Sequence, residues 1–248
     1  MSLAGRAAAA PTAARCCPVV ELRQYTLHVG RRDTLIALFD ENFIAPQEAA
    51  GIRVLGQFRD LDDPNRFVWL RGFPDMAARA VSLGAFYGGP VWAAHRTAAN
   101  ATMLDSDNVL LLRPLAPDTG FDLAAEPRST GLVVVEIRYL DRAALPAFSA
   151  FYAERMQPRM AEAGARVRGA FVTETSLNSF PRLPIREGVT VVASVLGFAD
   201  AADHQAYAHR IADGPDWRET APEALLGQFA RKPEVLRLSP TAKSHLRG

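Results

Sequence analysis

At 248 residues, with 49% apolar and 22% charged side chains and a mean hydropathy of −0.01, the chain has the composition of a soluble globular protein rather than a disordered or membrane one. Its 28 basic residues nearly cancel its 27 acidic ones, which removes the global field that holds nucleic acid or an anionic membrane surface. No apolar run approaches the length of a bilayer span, so a small neutral or weakly charged partner is expected.

Lys232 and Lys243 are the only lysines, and the remaining basic residues are arginine. With the abundance of alanine, this reads as a GC-rich bacterial coding bias. Residues 1–18 carry Arg6 and Arg15, no acid and no continuous apolar core. They read as a disordered leader, with a mitochondrial transit peptide as the alternative. Cys16 and Cys17 are adjacent and are expected to stay unbridged, which fits a reducing, cytoplasmic setting.

From residue 19 the chain reads as strand, helix, strand, strand, helix, strand. The strands fall near 19–27, 53–59, 66–73 and 108–113. Leu35, Leu38, Phe39 and Phe43 make one apolar face of a helix, and Gly51 suits its end. Asp75 is placed to cap a second helix, and 92–101 reads as a further helical stretch after Gly88-Gly89-Pro90. A linker rich in Pro and Gly follows over 116–131.

The same plan then returns. Val20-Glu21-Leu22-Arg23 is matched by Val135-Glu136-Ile137-Arg138, an offset of 115. Gly56 and Phe58 return as Gly169 and Phe171, Gly72-Phe73 with Asp75 as Gly197-Phe198 with Asp200, and Gly89-Pro90-Val91-Trp92 as Gly214-Pro215-Asp216-Trp217. Val109-Leu110-Leu111-Leu112 with Pro114 returns as Val235-Leu236-Arg237-Leu238 with Pro240. Several blocks in one order indicate a tandem duplication of a ferredoxin-like, split β-α-β module, an α+β fold. The expected units are 19–115 and 132–240, with a tail over 241–248. Such a sheet leaves one face bare, so the two modules are expected to pair through it, as an intrachain pseudo-dimer or in a homo-oligomer. The loop 175–188 is longer than its counterpart 60–65, which places an insertion there.

The stretches Glu21-Leu22-Arg23-Gln24-Tyr25-Thr26-Leu27, Gly56-Gln57-Phe58-Arg59-Asp60, Phe67-Val68-Trp69-Leu70-Arg71-Gly72-Phe73 and Phe86-Tyr87-Gly88-Gly89-Pro90-Val91-Trp92 resemble the NIPSNAP family. The likeness runs over 19–115 and more loosely over 132–240. It implies the dimeric α+β barrel superfamily, whose members include cofactor-independent monooxygenases, haem-degrading enzymes and small isomerases. It also implies non-enzymatic interaction proteins.

Strand alternation puts Glu21, Arg23 and Tyr25 on one face of the first strand, Arg53, Leu55, Gln57 and Arg59 on one face of the second, and Trp69 with Arg71 on one face of the third. If these faces coincide, Arg23, Arg59 and Arg71 would hold an anionic or enolate-like oxygen against Tyr25 and Trp69 in a barrel cavity. Alternatively they form a charge network between paired sheets, a reading that Glu136 and Arg138 support. His28 and His95 are the expected bases, with Arg59 beside them and Tyr87 and Asn100 as further substrate contacts. Trp92 and Trp217 read as core anchors. No cofactor is expected; haem, for which His28, His95 and Met103 are available, is a weaker option. His204 and His209 lie about 140° apart around a helix, so no metal site is expected. The function expected is binding of a small hydrophobic oxygen-bearing molecule, as a cofactor-independent monooxygenase or isomerase-like enzyme, with a non-catalytic ligand-binding or protein-interaction scaffold as the alternative.

Overall fold

The computed structural model describes residues 15–123 and 131–248. The greater part of the expected leader and residues 124–130 of the expected linker lie outside them. Eight antiparallel strands close a barrel in the order β1-β3-β2-β8-β5-β7-β6-β4. The first half supplies β1 (Val19–Leu27), α1 (Arg32–Asn42), α2 (Ile44–Ala49), β2 (Arg53–Asp60), β3 (Arg66–Phe73), α3 (Met76–Gly88), α4 (Pro90–Asn100) and β4 (Met103–Pro114). In the second half come β5 (Leu132–Tyr139), α5 (Leu145–Phe151), a π-helical turn at 152–156, α6 (Gln157–Glu162), β6 (Arg166–Thr173) and β7 (Val191–Phe198). After β7 follow α7 (Ala201–Asp213), the short α8 (Trp217–Thr220) and α9 (Leu226–Phe229), and β8 (Glu234–Pro240). The strand order β4-β1-β3-β2 thus appears a second time as β8-β5-β7-β6.

Local chemistry accounts for these elements. Asp75 caps α3 by accepting from the Ala78 amide, and Asp200 caps α7 by accepting from Ala202 and Asp203. Gly51 and Gly164 hold positive φ just past α2 and α6, a conformation that L side chains rarely adopt. The halves meet at two short seams, Phe58–Asp60 of β2 on β8 and Leu112–Pro114 of β4 on β6.

The even-numbered residues of β1 point into the barrel. Val20 and Leu22 pack there with Phe58, Val68, Leu70, Val133, Val135 and Leu236 in one apolar core drawn from both halves. The barrel interior is therefore packed with side chains from both halves. Each half has a second core between its sheet and its own helices.

Two sequence matches shift. On hydrogen-bonding register Val19 pairs with Phe73 and Leu132 with Phe198, so the offset in the first strand is 113, not 115. Glu21 is equivalent to Val134, and Glu136 to Arg23. A slip of two preserves which face each residue occupies, so alternation alone does not detect it. On β2 a bulge between Val54 and Gly56 sends Leu55 into the barrel, while Val54 and Gln57 stay on the helix side opposite Arg71 and Trp69. The expected row of Arg53, Leu55, Gln57 and Arg59 is broken there.

The segments flanking the strands are packed rather than loose. Cys16 pairs with Phe121 in an isolated bridge, and Cys17 is buried in the barrel core. The Cys16 and Cys17 sulfurs lie against each other. At the other end, the Leu246 amide donates to the Leu55 carbonyl and its side chain joins the same core. Among the described residues no helix is long and apolar enough to cross a membrane.

Candidate functional site

The odd-numbered residues of β1 face the helix layer of the first half. Register sets Glu21 beside Arg71 and Arg23 beside Trp69, which puts all four side chains on one face. Arg79, one turn into α3, comes down on them from above. Arg23 Nη1 donates to Glu21 Oε2 at 2.7 Å, Arg71 Nε to the same oxygen at 2.8 Å, and Arg79 Nε to Oε1 at 2.6 Å. All four side chains are buried to within 1%. Burial pushes the Glu21 carboxyl up, but Arg71, Arg23 and Arg79 together outweigh it and hold the group far below the usual carboxylate range.

One carboxylate facing three guanidiniums leaves an excess of positive charge in a dry layer. Neutral oxygens take up the spare donors: Arg23 Nε donates to Tyr25 OH at 3.0 Å, and Arg71 Nη1 to Gln47 Oε1 at 3.2 Å and Tyr87 OH at 3.4 Å. The Arg71 guanidinium also lies 5.0 Å from the Trp69 ring centre. Arg79 Nη2 is buried with no hydrogen-bond partner, and Arg71 Nη2, though 2.8 Å from Glu21, lacks hydrogen-bond geometry.

Beside this cluster lies a cavity of about 30 Å³, walled by Tyr25, Phe39, Phe43, Trp69, Phe86, Tyr87 and Trp92 with Gln47 at its polar end. The aromatic rings meet edge-on, as between Tyr25 and Trp69 at 6.0 Å and Phe39 and Trp69 at 4.8 Å. This space holds about one water molecule, so a ring-sized ligand enters only if a wall moves. A larger groove of about 440 Å³ runs along 173–177 and 185–190, but its Asp141, Glu174 and Glu187 face Arg142 and Arg186 in near balance.

The sequence-derived residues divide sharply. Tyr25, Trp69 and Tyr87 line the cavity, and Arg23 and Arg71 stand at its charged end. Arg59 does not join them. It pairs with Asp33 of α1, about a third exposed, and stands beside Phe67, four residues and about 13 Å along β3 from Arg71. His28 is exposed in the turn after β1, and Asn100 is exposed at the end of α4. His95 is half-buried, edge-on to Phe43 at 6.3 Å, behind the aromatic wall rather than in it. Trp92 belongs to the wall as well as to the core.

Sequence reasoning missed Gln47, Arg79 and the contribution of the second half. Arg79 and Gln47 sit on helices, where strand alternation gives no signal. The Glu136 and Arg138 pair, expected to bridge the sheets, instead faces the helices of its own half at 3.8 Å. There burial prevails over Arg138 and raises the Glu136 carboxyl. At the places of Glu21, Arg71 and Arg79 the second half carries Val134, Leu196 and His204. Among the described residues no group of three His, Cys, Asp or Glu is arranged to hold a metal.

Residues 20–117 match the model of the NIPSNAP family. No curated protein matches the chain. Among solved structures, a candidate monooxygenase from Lactobacillus acidophilus superposes with a TM-score of 0.55 at 14% identity, over 90% of this chain and 93% of that one. A second candidate monooxygenase, from Fusobacterium nucleatum, gives 0.56 at 8% identity over 90% and 91%. An anthrone oxidase-like protein gives 0.55 at 13% over 93% and 95%. At these identities the likeness is one of fold.

Proposed function

We propose, from the premise that residues 20–117 are a NIPSNAP domain, that the chain binds a small hydrophobic molecule bearing an anionic oxygen between the sheet and the helices of its first half. The observation that carries this reading is the buried excess of guanidinium over carboxylate beside an aromatic-walled cavity. Such a surplus is costly unless an anion shares it, and an aromatic ring with an ionised oxygen matches both the wall and the charge.

In its catalytic form the reading is a cofactor-independent monooxygenase or isomerase-like enzyme in which Arg71 and Arg23 hold a substrate enolate or phenolate. The substrate then arrives already ionised, because Glu21 is held as a carboxylate by three arginines and no histidine lines the cavity. The second reading, a non-catalytic ligand-binding scaffold, draws support from that same placement of His28 and His95 outside the wall. We further read the two halves as a tandem duplication, the barrel being a pseudo-dimer whose second module has lost the charged cluster.

Calorimetric titration with 4-nitrobenzoate and its neutral amide tests the site. The carboxylate is expected to bind at least about tenfold more tightly, the worth of one charge-assisted hydrogen-bond set. Equal affinities would remove the arginine cluster from the account.

A further inference from the structure

The β6–β7 connection contains no helix or strand between Thr173 and Val191. Because β6 pairs with β4 of the first half, this connection emerges beside β4 and runs over the other module. Its ends are stitched to β4: the Glu174 amide donates to the Leu111 carbonyl and the Arg186 amide to the Val109 carbonyl, both at 2.8 Å. Between these stitches Phe180 stacks on Tyr87 with ring centres 6.1 Å apart, and Leu183 and Ile185 pack against the core of the first half. Arg79 Nη1 donates to Asn178 Oδ1 at 3.0 Å and to Ser179 Oγ at 3.1 Å. The matching loop of the first half, Asp60–Asn65, is shorter and meets the second half at Arg237, through the Leu61 amide and the Asp62 carboxylate.

Taking the site above as the binding site, we propose that this strap, which stands behind the Tyr87 side of the cavity, is the part that moves aside to enlarge it, and that Asn178 and Ser179 occupy on Arg79 the place taken by the anionic oxygen of the ligand. The cavity is too small as it stands, so something must yield. The helices are fixed by the aromatic core, whereas the strap keeps one internal backbone–backbone hydrogen bond, from Leu183 to the Phe180 carbonyl, and the two of Asn178, which accepts from the Phe180 amide and donates to the Leu183 carbonyl. Both ends of the strap border the open 440 Å³ groove. The exchange is favourable in charge: two neutral oxygens leave a fully buried guanidinium whose Nη2 has no partner, and one anion replaces them. Phe180, Asn178 and Ser179 are then specificity-determining residues supplied by the second half to the site of the first.

Stopped-flow quenching of tryptophan fluorescence by 4-nitrobenzoate, a quencher that enters next to Trp69 and Trp92, reads the opening directly. Phe180→Ala is expected to raise the association rate about tenfold, and the pair Asn178→Ala with Ser179→Ala to tighten binding by about tenfold. Unchanged rate and affinity in variants that still bind would overturn the strap and leave the site standing. No quenching in the intact chain or in any variant would overturn both. In the intact chain, hydrogen exchange at the Leu183 amide should accelerate when 4-nitrobenzoate binds. Binding without that acceleration also overturns the strap, whether or not the variants fold.

Discussion

Glu21 and Glu136 sit in look-alike tetrapeptides, yet the fold gives them opposite electrostatics. Glu21 is lowered by three arginines, and its charge stabilises the folded chain at every pH above the ordinary glutamate value of 4.5, that stability being lost as pH falls from there toward the folded value. Glu136 is raised by burial, so its charge opposes folding at neutral pH and the penalty fades on acidification. Glu21→Gln is therefore expected to cost about 3–5 kcal/mol at pH 7, because it strands three guanidiniums. Glu136→Gln should be neutral or stabilising at pH 7, with its advantage over the unaltered chain shrinking towards pH 4. Urea denaturation across that range checks both. A similar loss in the two variants would mean that the second pair is a structural equal of the first.

At the scale of elements, the repeated Gly-x-Phe of β2 and β6 has a physical cause. Each glycine lies at a bulge, and the phenylalanine two residues on folds its ring back over it inside the barrel. A Cβ on Gly56 would come within 2.6 Å of the Phe58 ring, and one on Gly169 within 2.7 Å of Phe171. Gly56→Ala and Gly169→Ala should each cost about 1–3 kcal/mol in thermal unfolding, since neither ring has room to retreat. Unchanged unfolding in both would show that the barrel interior is looser than its packing implies.

This pair was legible in sequence as a repeat, as were the first three strands, both capping aspartates and the bare sheet faces that meet in the barrel. Alternation and turn chemistry are local, and they suffice for that much. The bulge at Gly56 and the two-residue slip between Glu21 and Glu136 were not legible, because they are set by pairing with β3 and β7. The same limit explains the site. Tyr25, Trp69, Arg23 and Arg71 share a face by alternation, whereas Arg79 arrives from a helix and Asn178, Ser179 and Phe180 from another module. Arg59 was misplaced because sharing a face says nothing about distance along the strand.

For the molecule as a whole, closure of the barrel divides the labour between its halves. The interior is a shared apolar core that only positions the two outer layers. One outer layer holds the charged cluster and cavity, the other carries Val134 and Leu196 at the corresponding places, and the strap of the second crosses to cover the first. The proposed site predicts one ligand per chain. The most direct measurement is a crystal structure of the chain soaked with 4-bromobenzoate, whose bromine is located by anomalous scattering. A single bromine is expected among Tyr25, Trp69, Phe86 and Trp92, with the carboxylate on Arg71 or Arg79 and Phe180 displaced from Tyr87. A bromine bound only in the groove beside Arg142 and Arg186, with Arg79 still held by Asn178 and Ser179, would contradict the account.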